Sequence, residues 1–571
     1  MKDKILNLLK SKLFFAIVIN IVIMLFCIGI TSFSYDSPDD FYNSLYICHH
    51  NYYYSNKINY IFSTIIGSVQ FILTNFNCFV LSQILLSCSA FTAISYVLAD
   101  KFGKNKALVF TLLLNILFAL DHYAGILSSK TSALLIAAGF LLALNAIRNK
   151  RYNLPFWLGL CEILLGSFLC FEYFLVGLVF AAAFFFGDMI AKRKYKLPFR
   201  KFFWYFRPFV LVFVFIFLLG IGAEHYSFSV NHSSAEVSDY YKYSELCDSI
   251  NQYPFPNYFS YEEEFSNIGI TSASDYDLLI NGYYDSENHL NNDALSLIAK
   301  IQKDENPYNI FADISNISYD FWMHISNFDF YALIYIVFTS IAVIYVIIQK
   351  KRFAFFPVFY LTAAFFASLF IRYKLNSSAY TMYGIWLMLC LFLIYSFDFE
   401  NLKKTDRTLL KNKKSKLLLS IVVLLFITVS YSVIYQTHYQ GISYDRKPSN
   451  LYTEINRHPE RYYVLDPVSA DKYIKYTDNY THPLWGFKRS FMDNVDGFGY
   501  FHQQSQLLKH NLPMNIYRAV LTNNEIFVID NNITYKKEKY FSRHYIENNK
   551  AANYKKVKEI NGFKIYSVEI I

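Results

Sequence analysis

The chain has 571 residues, of which 54% are hydrophobic and 20% aromatic, while only 17% are charged. A soluble protein of this length normally carries about 25% charged residues, so the composition argues against a soluble enzyme. The net charge of +9 does not indicate nucleic-acid binding, because the lysines and arginines lie mainly between apolar runs, a distribution that the positive-inside rule of membrane proteins explains.

The apolar runs predict a mainly α protein, a polytopic bundle of transmembrane helices. Each run of about 17 to 22 residues can cross a hydrocarbon core about 30 Å thick. Backbone polar groups in that core must be satisfied within the segment, which favours helices, whereas a transmembrane β-barrel would show alternating segments of about ten residues. We predict about eleven spans, at residues 13–32, 77–99, 107–124, 131–147, 155–170, 173–190, 208–223, 328–348, 354–371, 379–397 and 417–436.

The charges between these spans predict the orientation of the chain. The segment 192–207 holds seven basic residues, whereas the segment 224–327 holds three against seventeen acidic ones. Basic loops remain on the cytoplasmic side, so we predict a cytoplasmic N-terminus and an extracytoplasmic C-terminus. The pair of spans within 155–190 is the least distinct. Counting that pair as one re-entrant element would reverse the predicted orientation of all later spans, and the charges of the later loops would then contradict the positive-inside rule.

Several parts of the chain are expected outside the membrane. The transmembrane bundle comprises residues 1–436 and includes an outer loop at 33–76 and an outer insertion at 224–327. The outer loop contains a short amphipathic segment at 61–73, which we expect to be a helix in the membrane interface. Residues 437–571 are predicted to form a small extracytoplasmic α/β domain.

Short runs predict the elements of the extracytoplasmic parts. The insertion is expected to be helical around 290–303. In the C-terminal domain, the segments 461–466 and 525–530 are predicted as buried strands. The chain ends in two alternating runs joined by Asn561-Gly562, which is a strong signal for a hairpin.

Familiar catalytic signatures are absent from the sequence. It contains no GxxxxGK[ST], GxGxxG, HExxH or GxSxG motif, which argues against P-loop, dinucleotide-binding, zinc-protease and serine-hydrolase sites. It shows no Cys/His metal pattern either. No predicted span carries the line of buried charges that a proton pump or voltage sensor needs.

An acidic turn after the first predicted span is the strongest candidate for a catalytic site. Asp39 and Asp40 follow Pro38 near the outer membrane surface, where carboxylates can take a proton from an acceptor hydroxyl or hold a divalent metal ion against a phosphate. The alternative is a solvated turn, since Ser-Pro-Asp-Asp is good turn chemistry. Aromatic side chains crowd the same loop, and Tyr42 and His49 are candidates for substrate contact. Such rings suit sugar stacking, but they are equally ordinary interface anchors.

Basic residues are rare on the predicted outer side, which draws attention to three of them. Lys130 lies between the third and fourth spans, and Arg372 and Lys374 lie at the outer end of the ninth. A cation at headgroup depth can hold a lipid-linked phosphate, and arginine can do so with two parallel hydrogen bonds. The alternative is that these side chains snorkel or pair with anionic lipid.

These features resemble the GT-C superfamily of membrane glycosyltransferases, close to bacterial members with GtrII-like or arabinosyl/mannosyl-transferase-like architecture. The resemblance rests on an acidic pair after the first span, an interfacial helix before the second, two short basic runs and a C-terminal extracytoplasmic domain. The pair and the runs are Asp39-Asp40, Ser128-Ser129-Lys130-Thr131 and Arg372-Tyr373-Lys374. The insertion at 224–327 departs from the family, because it is longer and more acidic than in many members.

The resemblance implies an enzyme of the bacterial plasma membrane. It would transfer a sugar from a polyprenyl-phosphate donor to a cell-envelope glycan or lipid acceptor. Asp39 or Asp40 would be the base or a metal ligand, so a divalent metal ion is a candidate cofactor. Arg372, with Lys130 or Lys374, would neutralise the departing lipid phosphate.

Two other classes of function remain open at this point. The first is an O-antigen-polymerase-like or ligase-like protein. Those proteins usually depend on arginines in a large outer loop, and the segment 224–327 contains none. The second is a transporter or flippase of lipid-linked saccharides without covalent chemistry. Transporters usually show inverted repeats and broken helices, and the sequence displays neither.

Overall fold

The protein is mainly helical, with a small sheet near its C-terminus. The computed structural model describes residues 11–30, 33–49, 55, 58–192, 196, 198–251, 253–307, 310–327, 355–375, 379–397, 450–475, 477, 480, 483–484, 494–499, 510–531, 534–547 and 550–571. The chain divides into two units. The helical unit comprises Met1–Val69, Cys78–Phe228 and Asn309–Tyr444, and the mixed unit comprises Gln70–Asn77, Ser229–Tyr308 and Asp445–Ile571.

The helical unit has apolar helices where the sequence predicts spans. Among the described residues, six helices are long and apolar enough to cross a membrane: Lys12–Gly29, Cys78–Phe102, Ser128–Asn149, Phe171–Ala191, Phe206–Asn231 and Phe355–Arg372. Two further apolar helices, Leu154–Leu169 and Tyr383–Ser396, are shorter. Membrane-length apolar helices are thus confirmed, whereas the count of eleven spans stays a prediction. The spans predicted at 328–348 and 417–436 lie outside the described residues.

The full helix bounds extend some of these segments. The α-helices of the helical unit are Lys12–Ile30, Pro38–Cys48, Tyr60–Gln70, Cys78–Phe102, Lys104–Leu114, Leu120–Ala124, Ser128–Asn149, Leu154–Leu169, Phe171–Ala191, Phe199–Asn231, Ile310–Asn327, Phe355–Leu375 and Ala379–Ser396. Helix Tyr60–Gln70 therefore covers most of the amphipathic segment predicted at 61–73 and ends three residues before that segment does. Its residues Ile65 and Val69 are exposed while Phe62 is buried, and its place in the membrane interface stays a prediction.

Helix Ser128–Asn149 is buried along its whole apolar length. Small residues allow its neighbours to approach closely: a β-carbon added at Gly139 would lie 2.5 Å from the carbonyl oxygen of Gly159. The Ser132 hydroxyl donates to the carbonyl oxygen of Gly166 at 2.7 Å. Close backbone approach and such hydrogen bonds hold apolar helices together in a bilayer. The fourth predicted span therefore packs against protein on all sides.

A π-helical turn, Asn115–Ala119, interrupts the third predicted span. It lies between helices Lys104–Leu114 and Leu120–Ala124. The Asn115 amide, which opens the turn, donates to the side-chain oxygen of Asn20 at 3.1 Å. Such turns are rare and often lie near functional sites. The residues directly after this turn belong to the candidate site described below.

The mixed unit is built on a five-stranded sheet. Its strands, in spatial order, are Val495–Gly497, Tyr462–Leu465, Ile526–Ile529, Phe563–Ile570 and Ala552–Ile560. The first three are mutually parallel, and the last two join antiparallel. The buried strands predicted at 461–466 and 525–530 are therefore confirmed.

The predicted hairpin at the end of the chain is also confirmed. It turns at Asn561 and Gly562, whose φ angles are 51° and 78°. Positive φ at both central residues is what a type I′ turn requires, and its twist matches that of the strands it joins. Glycine adopts such angles without strain, so this local sequence is sufficient to set the turn.

The core of the mixed unit combines the insertion with the C-terminal segment. Phe265 and Ile298 from the insertion belong to the same buried cluster as Val464 from the sheet. The sequence predicts 224–327 as an outer insertion of the transmembrane bundle, whereas Ser229–Tyr308 belongs to the mixed unit. The physical reason for the difference is that an amphipathic helix such as Asn292–Glu305 must cover its apolar face, and a sheet offers the matching surface.

Further helices surround this core. The helices of the mixed unit are Ala235–Ile250, Glu262–Asn267, Ala273–Ile280, Asn292–Glu305, Asn450–Arg457, Pro467–Ile474, Ile516–Thr522 and Thr534–His544, with a 3-10 turn at Tyr258–Ser260. The helix expected around 290–303 is among them and is confirmed.

A buried lysine joins the two segments of this unit. Lys537 pairs with the carboxylate of Asp530, which directly follows a parallel strand. The same ammonium donates to the hydroxyl oxygen of Tyr283, in the insertion, at 3.0 Å. Removing one partner of a buried charge pair is strongly destabilising, because the other charge is left uncompensated.

Candidate functional site

Two short parallel strands fix the beginning of the loop that follows the first predicted span. Ser34–Tyr35 pairs with Gly125–Ile126, and the Asp36 N–H donates to the carbonyl oxygen of Ile126 at 3.1 Å. Gly125 permits this approach, because a β-carbon there would collide with the Asp36 carboxylate. The strand pairing therefore brings the loop after the first predicted span to the residues that precede helix Ser128–Asn149.

A buried lysine lies between two carboxylates at this point. Lys130 Nζ donates to Asp36 Oδ2 at 2.7 Å, to Asp121 Oδ2 at 3.0 Å and to the main-chain oxygen of Asp121 at 3.3 Å. The lysine side chain is 1% exposed and each carboxylate 7%. An ammonium has three N–H donors, so these three acceptors use them all. The sequence predicts Lys130 as a ligand of a substrate phosphate, whereas its partners here are carboxylates of the protein.

Asp40 is buried next to this cluster. Its Oδ2 accepts the Ser128 N–H at 2.9 Å, while its Oδ1 has no hydrogen-bond partner among the described residues. Burial raises the pKa of the Asp40 carboxyl to about 7, the Ser128 hydrogen bonds oppose the rise, and the nearby carboxylates of Asp39 and Asp36 add to it. A carboxyl with this pKa exchanges its proton near neutral pH, as a general base must.

Asp39 occupies a different environment from its neighbour. It is exposed, and its N–H donates to the Ser37 hydroxyl at 3.1 Å. Ser37 is the N-cap of helix Pro38–Cys48 and proline follows it, a common arrangement at the start of a helix. The acidic turn predicted from the sequence is therefore a helix start that exposes one carboxylate and buries the other.

The remaining predicted site residues lie on two helices or directly after one of them. Tyr42 is half-buried on the helix that carries both acidic residues, and its ring stacks on Tyr46 with centroids 6.4 Å apart. His49 directly follows that helix. Arg372 and Lys374 lie in the last turn of Phe355–Leu375. Their approach to the acidic residues stays a prediction, as do the substrate contacts of Tyr42 and His49.

His122 is a polar residue of the site that the sequence analysis did not select. It is buried after the π-helical turn, and neither of its ring nitrogens has a hydrogen-bond partner among the described residues. Its ring packs against Phe91 and Tyr383, with centroids 5.6 Å away in each case. A buried polar group without a partner is costly. The feature of the sequence that could have identified His122 is the polar pair Asp121-His122 at the end of the third predicted span.

The described part of the chain has no ready ligand set for the candidate divalent metal ion. It contains no group of three or more His, Cys, Asp or Glu side chains that could hold one. One carboxylate oxygen of Asp36 and one of Asp121 converge on the same position, but the Lys130 ammonium occupies it. A metal requirement therefore remains a hypothesis at this stage.

The chain was also compared with known proteins. No protein-family model, no curated protein and no solved structure matches it.

Proposed function

We propose that the protein is a membrane glycosyltransferase of the GT-C type. It transfers a sugar from a polyprenyl-phosphate donor to a glycan or lipid acceptor on the outer face of the bacterial plasma membrane. The observation that supports this most is the buried Asp40 carboxyl, which has one oxygen without a partner among the described residues and a pKa near 7. The proposal includes about eleven spans, a cytoplasmic N-terminus and an extracytoplasmic C-terminus.

In this proposal Asp40 is the general base. Its Oδ2 stays on the Ser128 N–H while Oδ1 takes the proton of the acceptor hydroxyl. The acceptor oxygen forms a bond to the anomeric carbon, and the bond from that carbon to the phosphate oxygen breaks. The electron pair leaves with the polyprenyl phosphate, whose charge Arg372 and Lys374 neutralise. Lys130 takes no part in this step, because its N–H groups already have acceptors.

The test compares two adjacent carboxylates in the purified full chain. Asp40→Asn keeps size and hydrogen bonding but removes the base, so transfer from a labelled polyprenyl-phosphate sugar should be abolished. Asp39→Asn is the matched control and should retain most of the activity, because the Asp39 side chain is exposed. Full transfer by Asp40→Asn, or equal losses in both variants, would contradict Asp40 as the base.

Two further measurements test the rest of the proposal. Arg372→Lys should weaken donor use less than Arg372→Ala, since lysine keeps the charge but loses the planar fork. An impermeant thiol reagent should label an engineered cysteine within 437–571 in intact cells and spare one within 400–412. The reverse labelling pattern would contradict the proposed orientation.

A further inference from the structure

The Lys130 ammonium occupies a point where three oxygen atoms converge. Two are carboxylate oxygens, from Asp36 and Asp121, and the third is a main-chain carbonyl oxygen. Carboxylate and carbonyl oxygens are the ligands preferred by hard divalent cations such as Mg²⁺, Ca²⁺ and Mn²⁺. The donor set around this lysine is thus chemically the set that such a cation would select.

Two carboxylates meet one ammonium in this cluster. Asp36 and Asp121 together carry two negative charges and Lys130 carries one positive charge, while all three side chains are at most 7% exposed. Buried charges are tolerated when they are compensated. A divalent cation at the position of the ammonium would compensate both carboxylates. Without its lysine, the site would therefore carry the two negative charges that match one divalent cation.

The cluster also connects distant parts of the chain. Asp36 lies 94 residues before Lys130, and the strand that precedes it pairs with the strand before helix Ser128–Asn149. Four residues after Asp36, Asp40 accepts its hydrogen bond from the first residue of that helix. The Asp36–Lys130 contact and the Asp40–Ser128 hydrogen bond thus join the same turn to the start of the same helix.

We infer that Lys130 is a built-in replacement for a divalent cation, whose ammonium takes the place of a metal ion between Asp36 and Asp121. It is a positioning residue, because it acts on the site through Asp36 and the turn that carries Asp40. The cation replacement does not depend on the proposed function. Its kinetic consequence does: glycosyl transfer proceeds without an added divalent metal ion.

Removing the lysine tests this inference. Lys130→Ala leaves the three oxygens in place and opens space for a hydrated ion. In the purified full chain, the variant should bind one Mn²⁺, measured as loss of the electron paramagnetic resonance signal of the free ion, and the wild-type chain should bind none at this position. Ethylammonium, which supplies the missing ammonium, should raise the unfolding temperature of the variant and compete with Mn²⁺. A lysine that only filled space would give neither effect.

Two control variants separate a cation site from a general loss of charge. The triple variant Asp36→Asn/Asp121→Asn/Lys130→Ala lacks both carboxylates and should show neither Mn²⁺ binding nor rescue by ethylammonium. Lys192→Ala removes a different lysine, whose ammonium pairs with the Asp188 carboxylate at 2.7 Å. It should therefore lose an ion pair without creating a metal site.

Every outcome of the binding experiment either supports or overturns the inference. It is overturned when folded Lys130→Ala binds no Mn²⁺, or when the wild-type chain binds Mn²⁺ in a way that Asp36→Asn abolishes, because the metal would then displace the lysine. Recovery of folded Lys130→Ala only in the presence of Mn²⁺ or ethylammonium supports the inference. Failure to recover it under either condition overturns the inference.

The kinetic test distinguishes this inference from the proposed function. A chelator should leave sugar transfer by the wild-type chain unchanged, whereas transfer by Lys130→Ala should require Mn²⁺ or ethylammonium. A wild-type enzyme that stops in chelator would contradict the kinetic consequence. Absence of transfer in every variant would contradict the proposed function, and the Mn²⁺ binding results would still decide the role of Lys130.

Discussion

Replacing Asp40 by asparagine should stabilise the protein, and the gain should grow with pH. Burial raises the pKa of this carboxyl from 3.8 to about 7, so the folded chain resists its ionisation. Asparagine keeps the size of the side chain and an oxygen for the Ser128 N–H, but it never ionises. The substitution therefore removes the unfavourable burial of a charge and preserves the hydrogen bond.

The magnitude follows from the difference in proton binding. Because the folded chain holds the Asp40 proton more tightly than the unfolded chain, stability falls as the pH rises from about 4 to about 7 and changes no further above that. The pKa difference of about 3 corresponds to about 4 kcal/mol. The gain for Asp40→Asn should thus be about 4 kcal/mol at pH 8 and about 2 kcal/mol at pH 5.

The assay is the unfolding of the detergent-solubilised full chain as a function of pH. The unfolding temperature of Asp40→Asn should exceed that of the wild-type chain, with the larger difference at pH 8. Infrared difference spectra provide an independent measurement, because a protonated carboxyl band should disappear from the wild-type chain near pH 7 and be absent from the variant. Asp39→Asn is the control, since it removes no buried charge. A gain that does not change with pH, or a loss of stability at pH 8, would refute the reasoning.

Three further predictions concern packing and the mixed unit. Gly125→Ala should lower stability by about 1 to 3 kcal/mol, because the added carbon meets the Asp36 carboxylate and must displace it. Lys537→Met should cost about 3 to 5 kcal/mol in the unfolding of the mixed unit, and adding Asp530→Asn should recover part of the loss. Residues 445–571 expressed alone should fail to give dispersed amide resonances, whereas co-expression with 229–308 should restore them, because both segments contribute to one core.

Each of these predictions has a control or a contradicting result. Gly29→Ala should not destabilise the chain, since a β-carbon there meets nothing within 4 Å. Lys555→Met removes a lysine from an exposed pair with Glu569 and should change stability little. A folded 445–571 fragment on its own would show that the insertion is not needed for the core.

The elements that were predictable from sequence are those that short segments determine. Two residues, Asn561-Gly562, suffice to set the final hairpin, because positive φ at both positions is a local property. The apolar helices follow in the same way from segment length and composition. The shared core of the mixed unit does not, since nothing within the insertion indicates which distant surface will cover the apolar face of Asn292–Glu305.

The candidate site shows even more clearly that contacts between distant residues cannot be predicted from short segments. The sequence identified Asp40 and Lys130 by their charge and their place near predicted span ends. It could not show that Lys130 already has two carboxylate partners, because the Asp36 contact joins residues 94 positions apart. It also missed His122, whose burial depends on the packing of Phe91 and Tyr383 around it.

The division of the mixed unit between distant segments has a consequence for biosynthesis. The ribosome completes Ser229–Tyr308 before it makes Asn309–Tyr444, and the sheet comes only afterwards, in Asp445–Ile571. At about 5 to 20 residues per second, the intervening stretch takes roughly 7 to 27 seconds to translate. During that time, the apolar surface of the insertion is not yet covered by the sheet, while further apolar helices are synthesised. The yield of folded protein should therefore depend on protection of this surface by a chaperone, or on the speed of translation through the intervening stretch.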